Sequence, residues 1–128
     1  MRSTTVALFV TLAGCGGQSA PNEPTYREHL QVTAKTAQGK LFVLIKSPFG
    51  NNLHEQYELW AIDKSKKEFK ATDDMTESMK RENSIAMTVS GLDVATISQV
   101  KVRYEVWQGP PETRAHLFTG EKVADVNR

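Results

Sequence analysis

The chain has 128 residues, with Lys+Arg 16 against Asp+Glu 15 and a hydrophobic fraction of 39%. That length holds one domain at most, plus extensions. The near balance of charge, with no basic stripe and no acidic tail, points away from nucleic acid as a partner.

Arg2 gives a short positive start, and Val6 to Ala13 (VALFVTLA) is an apolar run. A membrane-spanning helix needs about 20 such residues, so the run suits the h-region of a cleaved signal. It leads into Leu12-Ala13-Gly14-Cys15, and Cys15 is the only cysteine of the chain. This stretch resembles the lipobox of bacterial lipoproteins. The resemblance implies cleavage between Gly14 and Cys15, acylation of the Cys15 thiol, and a mature chain that begins at that residue. One myristoyl chain holds a protein to a bilayer only reversibly, whereas two or more anchor it stably. The other reading of Cys15 is a free thiol in a frayed N-terminal strand. Gly16, where Asp resembles an inner-membrane retention signal, implies the periplasmic face of the outer membrane if the source is Gram-negative. Without Arg2 the acidic and basic residues balance, which argues against a second, electrostatic grip on anionic lipid. The expected partner on this side is therefore the membrane, through the lipid alone.

Residues 16 to 28 (GGQSAPNEPTYRE) are rich in Gly, Pro and small polar residues and read as a flexible tether. The expected division is thus a signal peptide over 1–14, an acylated tether over 15–28 and a folded domain over 29–128.

From Leu30 the pattern takes strand period, with Leu30, Val32, Ala34 and Thr36 alternating with polar neighbours. Gln38-Gly39 is a turn signal. The run KLFVLIKS, 40 to 47, is apolar almost throughout and reads as a strand covered on both faces. The loop SPFGNNLH follows, and EQYELWAID, 55 to 63, alternates again. KKEFKA is short and polar, an edge strand at best. TDDMTESMKREN, 72 to 83, reads as a short helix or long connection, with Asp73 and Asp74 at its start and Met75 and Met79 on one face. SIAMTVS, 84 to 90, sets Ile85, Met87 and Val89 on one side. QVKVRYEVW, 99 to 107, is the cleanest alternation, with Val100, Val102, Tyr104 and Val106 inward. After the turn GPP, the stretches RAHLFTG and EKVADV suggest a hairpin around Gly120. Seven or eight short strands at this spacing predict an all-β domain, a small antiparallel β-sandwich, Ig-like or transthyretin-like in general shape. At about 100 residues an apolar core suffices without disulfides.

Chemistry-bearing patterns are sparse. His29, His54 and His116 show no paired ligand spacing, and no metal site or cofactor is expected from them. Met75, Met79 and Met87 offer thioethers of the kind that suits Cu(I), which gives a weak copper-handling reading against simple packing. No serine lies in a G-x-S-x-G context, and no carboxylate pair implies a cleft. No catalytic residue is assigned, and the chain is read as non-enzymatic.

The functional signal is aromatic. Trp107 shares its parity with Lys101, Arg103 and Glu105, and Trp60 shares its parity with Glu58. A tryptophan exposed beside charges gives large contact area at low entropy cost, as partner surfaces use it. The competing readings place Trp60 in the core of a two-sided strand and Trp107 at a strand rim. Phe49 in the 47–54 loop is a further contact candidate, or an apolar plug for one end of the sandwich. The expected surface is therefore Trp60, Trp107, Arg103, Glu105 and Phe49, and its expected occupant a protein partner at the cell envelope. A carbohydrate or peptidoglycan strand stacked on Trp60 and Trp107 is the alternative.

The segments YELWAID and VKVRYEVWQGPPETRAHLFTG resemble the extracytoplasmic domain of anti-sigma-K-type factors, in which a Tyr-x-Leu-Trp strand precedes a Val-rich strand and a Gly/Pro turn. About half of the chain carries the resemblance. It implies a sandwich fold. It does not imply anti-sigma activity, because the sigma-binding part and the membrane helix of that family have no counterpart in this sequence.

Overall fold

The strongest alternation in the sequence marks the centre of the fold. In the computed structural model, which describes residues 20–49 and 53–128, Val100, Val102, Tyr104 and Val106 are all fully buried. They lie on a 12-residue strand in the interior of the sheet. The element order is α1 (Glu23–His29), β1 (Gln31–Ala37), β2 (Lys40–Lys46), β3 (Leu53–Asp63), β4 (Glu68–Lys70), β5 (Thr76–Arg81), β6 (Ser84–Val89), β7 (Ile97–Gln108) and β8 (Ala115–Asn127). Single 3-10 turns stand at Asp73–Met75, Val94–Thr96 and Pro111–Thr113.

The eight strands form one sheet in the order β4-β3-β7-β8-β1-β2-β6-β5. The sheet curls into a half-barrel, so its two halves face each other across the core as the layers of a sandwich do. The all-β domain expected from the sequence is therefore the fold observed. Every neighbouring pair is antiparallel except β1 and β8, which run parallel at Ala34↔Val126 and Lys35↔Asn127. That parallel join lets the end of β8 stitch the two halves together. Leu41, Val43, Ile45 and Val89 of one half meet Leu59, Ala61 and the β7 valines of the other.

Four expectations need correction. The first concerns the tether. Residues 23 to 28 are helical and belong to the folded domain. Asn22 caps the helix by accepting a hydrogen bond from the Thr25 N–H at 2.9 Å, and Pro24 sits in the first turn, where its missing N–H costs nothing. Tyr26 is completely buried, against Phe49, Tyr104 and Phe118. Burial of that ring gives a seven-residue helix the tertiary support it lacks alone.

The second is β2. Only Leu41, Val43 and Ile45 face the core, whereas Leu44 is 40% exposed. The half-barrel has no outer layer over this strand among the described residues. The third is the segment 72–83, which forms one 3-10 turn and then β5, not a helix. Pairing with β6, from Thr76↔Val89 to Arg81↔Ser84, overrides the helical spacing of Met75 and Met79. The fourth is the hairpin at Gly120, which is instead one continuous strand crossing β7. The edge strand in KKEFKA and the turn at Gln38-Gly39, both with positive φ, are as read. Residues 1–14, Cys15 and Gly16 lie outside the described residues.

Candidate binding face

Direct cross-strand partners share a face of a sheet, so register decides what surface the outward residues of β3, β7 and β8 make. Three rows emerge: Trp60–Lys101–Val123, Glu58–Arg103–Glu121 and Gln56–Glu105–Thr119. A fourth, His54–Trp107–His116, follows a register shift at Val106/Trp107. Trp60, Arg103, Glu105 and Trp107 therefore lie on one outward face. Trp60, Glu105 and Trp107 are half-buried there, and Arg103 is exposed. The reading of Trp60 as a core residue does not hold, because Leu59 and Ala61 occupy that role on the opposite parity.

Each indole is held by its neighbours. The Lys101 ammonium lies 5.2 Å from the centre of the Trp60 ring and is bonded to Glu68 at 2.7 Å, with Glu121 at 3.7 Å. The bond to Glu68 raises the Lys101 pKa, reinforced by Glu121, so its charge is fixed. Trp60 Nε1 donates to Glu58 at 3.3 Å, and Glu58 also pairs with Lys70 at 3.4 Å. The indole bond and the lysine hold the Glu58 carboxyl below the usual range.

At the other end, His54 and His116 flank Trp107 at 5.6 and 5.5 Å between ring centres. Desolvation, with help from Arg114 and Lys80, lowers the His54 pKa. The ring beside Trp107 is therefore neutral at pH 7. Gln56 fixes it through a 3.2 Å contact to Nε2, and Thr119 lies 3.0 Å from Nε2 of His116. Between Lys101 and Trp107 the strand rises about 20 Å. The result is a strip with an aromatic residue at each end and Arg103 and Glu105 between them.

Phe49 does not join this face. It stacks on Tyr26 at 5.3 Å, with the rings 20° apart, and plugs one end of the core. Met79 stands apart from Met75 and Met87, which pack against the core. Met79 is opposite Ala86 on the outer face and 60% exposed, whereas Met87 is opposite Ser78 on the inner face. Among the described residues, no group of three or more His, Cys, Asp or Glu side chains is placed to hold a metal ion.

One polar cluster had no expectation attached. The Tyr26 hydroxyl donates to Glu55 at 2.6 Å and lies 2.8 Å from the Tyr57 hydroxyl, which itself donates to Glu55 at 3.1 Å. Burial, chiefly, pushes both tyrosine pKa values up. The pattern Asn22-Glu23-Pro24 was the available signal for the helix that delivers Tyr26. Nothing in the sequence signals which strand supplies Glu55. No protein-family profile and no curated protein matches this chain.

Proposed function

We propose that this chain is a non-enzymatic, lipid-anchored domain that engages a protein partner at the bacterial cell envelope through the Trp60–Arg103–Glu105–Trp107 face. The anchoring half of the proposal rests on the lipobox-like Leu12-Ala13-Gly14-Cys15. No described helix is long and apolar enough to cross a membrane. The folded domain begins at Asn22, seven residues after Cys15. At most about 25 Å of extended chain therefore separates the anchor from the domain, and the face stays close to the bilayer.

The binding half rests on one observation above all: the indoles are not free platforms. Lys101 lies over the Trp60 ring, and two histidines flank Trp107. A sugar stacks on an open aromatic face, whereas a protein interface uses aromatic anchors already braced by charged and polar neighbours. Arg103 lies in one row with Glu58 and Glu121 and supplies the charge that would orient a partner.

A photo-crosslinking residue placed at position 105 in intact cells tests the reading. The expected result is one envelope protein captured there, not captured from position 35 on the other half of the sheet, and lost in Trp107→Ala and Arg103→Glu. Quenching of tryptophan fluorescence by soluble peptidoglycan fragments, with no protein captured, would establish the glycan alternative instead. Labelled palmitate that enters the wild-type chain but not Cys15→Ser tests the anchor.

A further inference from the structure

The half-barrel is left open along one seam. The sheet order ends at β4 on one side and β5 on the other. β4 covers only Trp60 to Ile62 of β3, and Ala71 N–H takes the Leu59 carbonyl at 2.9 Å. Among the described residues, Leu53–Glu58 therefore has no strand partner on the side away from β7. Among the same residues, β5 pairs with β6 alone. Antiparallel pairing engages the backbone groups of alternate residues and leaves the others pointing out of the sheet. Among the described residues, both margins of the seam are thus rows of N–H and C=O groups without a strand partner, the feature to which an added strand binds.

Between the margins the interior is not filled. Two cavities, of about 210 and 540 Å³, lie along the seam and share Tyr57 and Ile85 as walls. The smaller runs between Leu53–Glu55 and Lys80–Ser84, and the larger between Tyr57–Leu59 and Thr76–Ser78. The margins therefore run antiparallel and enclose one trough about six residues long, roughly 20 Å. An inserted strand would be antiparallel to one margin and parallel to the other, and this sheet already holds both kinds of pairing. Tyr57, Ile85 and Met87 form an apolar floor. Along the trough the carboxylates Glu58, Asp73 and Glu82 stand against Lys70 and Lys80, while Glu55 lies on the inner side, bonded to the Tyr26 and Tyr57 hydroxyls. Lys70 is already engaged by Glu58, so the trough carries an acidic excess.

We propose that this seam, between Leu53–Glu58 and Thr76–Arg81, binds an extended basic segment of a protein partner as an inserted strand. Its apolar side chains lie inward on Tyr57, Ile85 and Met87, and its lysines or arginines lie outward over the carboxylates. Backbone pairing supplies affinity, while the two-residue period and the charge supply selectivity. The trough shares His54 and Glu58 with the margin of the tryptophan face, but its floor and its two strand edges are its own.

The test uses the full-length chain and three synthetic hexapeptides: alternating Lys-Val, alternating Glu-Val, and Lys-Val with N-methylated valines. Amide hydrogen exchange should slow at least tenfold at residues 53–58 and 76–81 with the Lys-Val peptide. The Glu-Val peptide should bind at least tenfold more weakly, and N-methylation should abolish protection. Ile85→Lys should weaken binding at least tenfold. Should that variant not fold, the exposed substitution Glu82→Lys should weaken it about threefold. Trp107→Ala should bind the peptide as the wild type does, which separates this site from the proposed face. Protection at only one margin, or equal binding of the N-methylated peptide, would overturn the proposal. So would protection that appears without peptide as protein concentration rises, which would make a second copy of the chain the occupant.

Discussion

Tyr104 and Gly120 stand directly opposite each other on β7 and β8, and the missing side chain of Gly120 is the space the tyrosine uses. A Cβ at position 120 would lie 2.5 Å from the Tyr104 hydroxyl and 2.6 Å from a carboxylate oxygen of Glu23. The Tyr104 hydroxyl donates to that same carboxylate. One glycine therefore lets a core tyrosine of the sheet reach the first residue of α1, and so couples the helix to the barrel. Gly120→Ala should cost about 1–3 kcal/mol, since Tyr104 is fully buried and cannot swing aside. Thermal denaturation checks this, with a fall in Tm of roughly 5–15 °C expected.

The domain boundary follows from the same contact. A chain that begins at Leu30 lacks Tyr26, and loss of a large buried aromatic costs about 3–5 kcal/mol. Against a total stability of about 5–15 kcal/mol, that shortened chain should unfold at markedly lower urea than one beginning at Ala20. Urea denaturation followed by near-UV circular dichroism compares the two. A chain from Leu30 as stable as the longer one would refute the placement of α1 in the core.

Tyr26→Phe isolates the hydroxyl. It removes the 2.6 Å bond to Glu55 and the 2.8 Å contact to Tyr57, but leaves the Tyr57–Glu55 bond in place. Hydrogen bonds to charged groups contribute about 1.5–3 kcal/mol, and urea denaturation should show a loss of that order. Tyr57→Phe should cost less, because its bond to Glu55 is longer, at 3.1 Å.

The pH dependence has a definite sign. The chain's three tyrosines, Tyr26, Tyr57 and Tyr104, all have pKa values raised in the fold, in each case first by desolvation. A raised pKa means that the native state keeps its proton while the unfolded chain loses it near pH 10. Stability is therefore full below about pH 10 and falls as pH rises above it. Tyrosinate absorbance should not appear with a midpoint near 10; it should appear together with the loss of near-UV ellipticity. Independent titration of any tyrosine at pH 10 in folded protein would contradict the packing.

Lys101→Met should leave the fold intact and loosen Trp60. Lys101 has a side chain only 14% exposed, with two carboxylate partners and an indole beneath it. Exposed ion pairs contribute about 0.2–1 kcal/mol and a cation–π contact about 0.5–1 kcal/mol. A combined loss of about 1–2 kcal/mol is expected, with the salt sensitivity of the wild-type stability reduced. Tryptophan emission should shift as the Trp60 ring gains freedom.

What the sequence determined by itself is the set of inward side chains. A two-residue period is a local property, so the burial of Val100, Val102, Tyr104 and Val106, and the shared parity of Arg103, Glu105 and Trp107, were legible before any strand was paired, whereas the side taken by Trp60 stayed between two readings. Pairing is not local, and only the tertiary structure decided it. It turned the helical spacing of Met75 and Met79 into a 3-10 turn followed by a strand beside β6, and it placed His54 and His116 on either side of Trp107. It also moved Phe49 from the surface to the side of Tyr26 and left β3 and β5 unjoined across a trough. The physical reason is register: which residue faces which across a sheet depends on hydrogen bonds between segments tens of residues apart, and no window of the chain contains both partners.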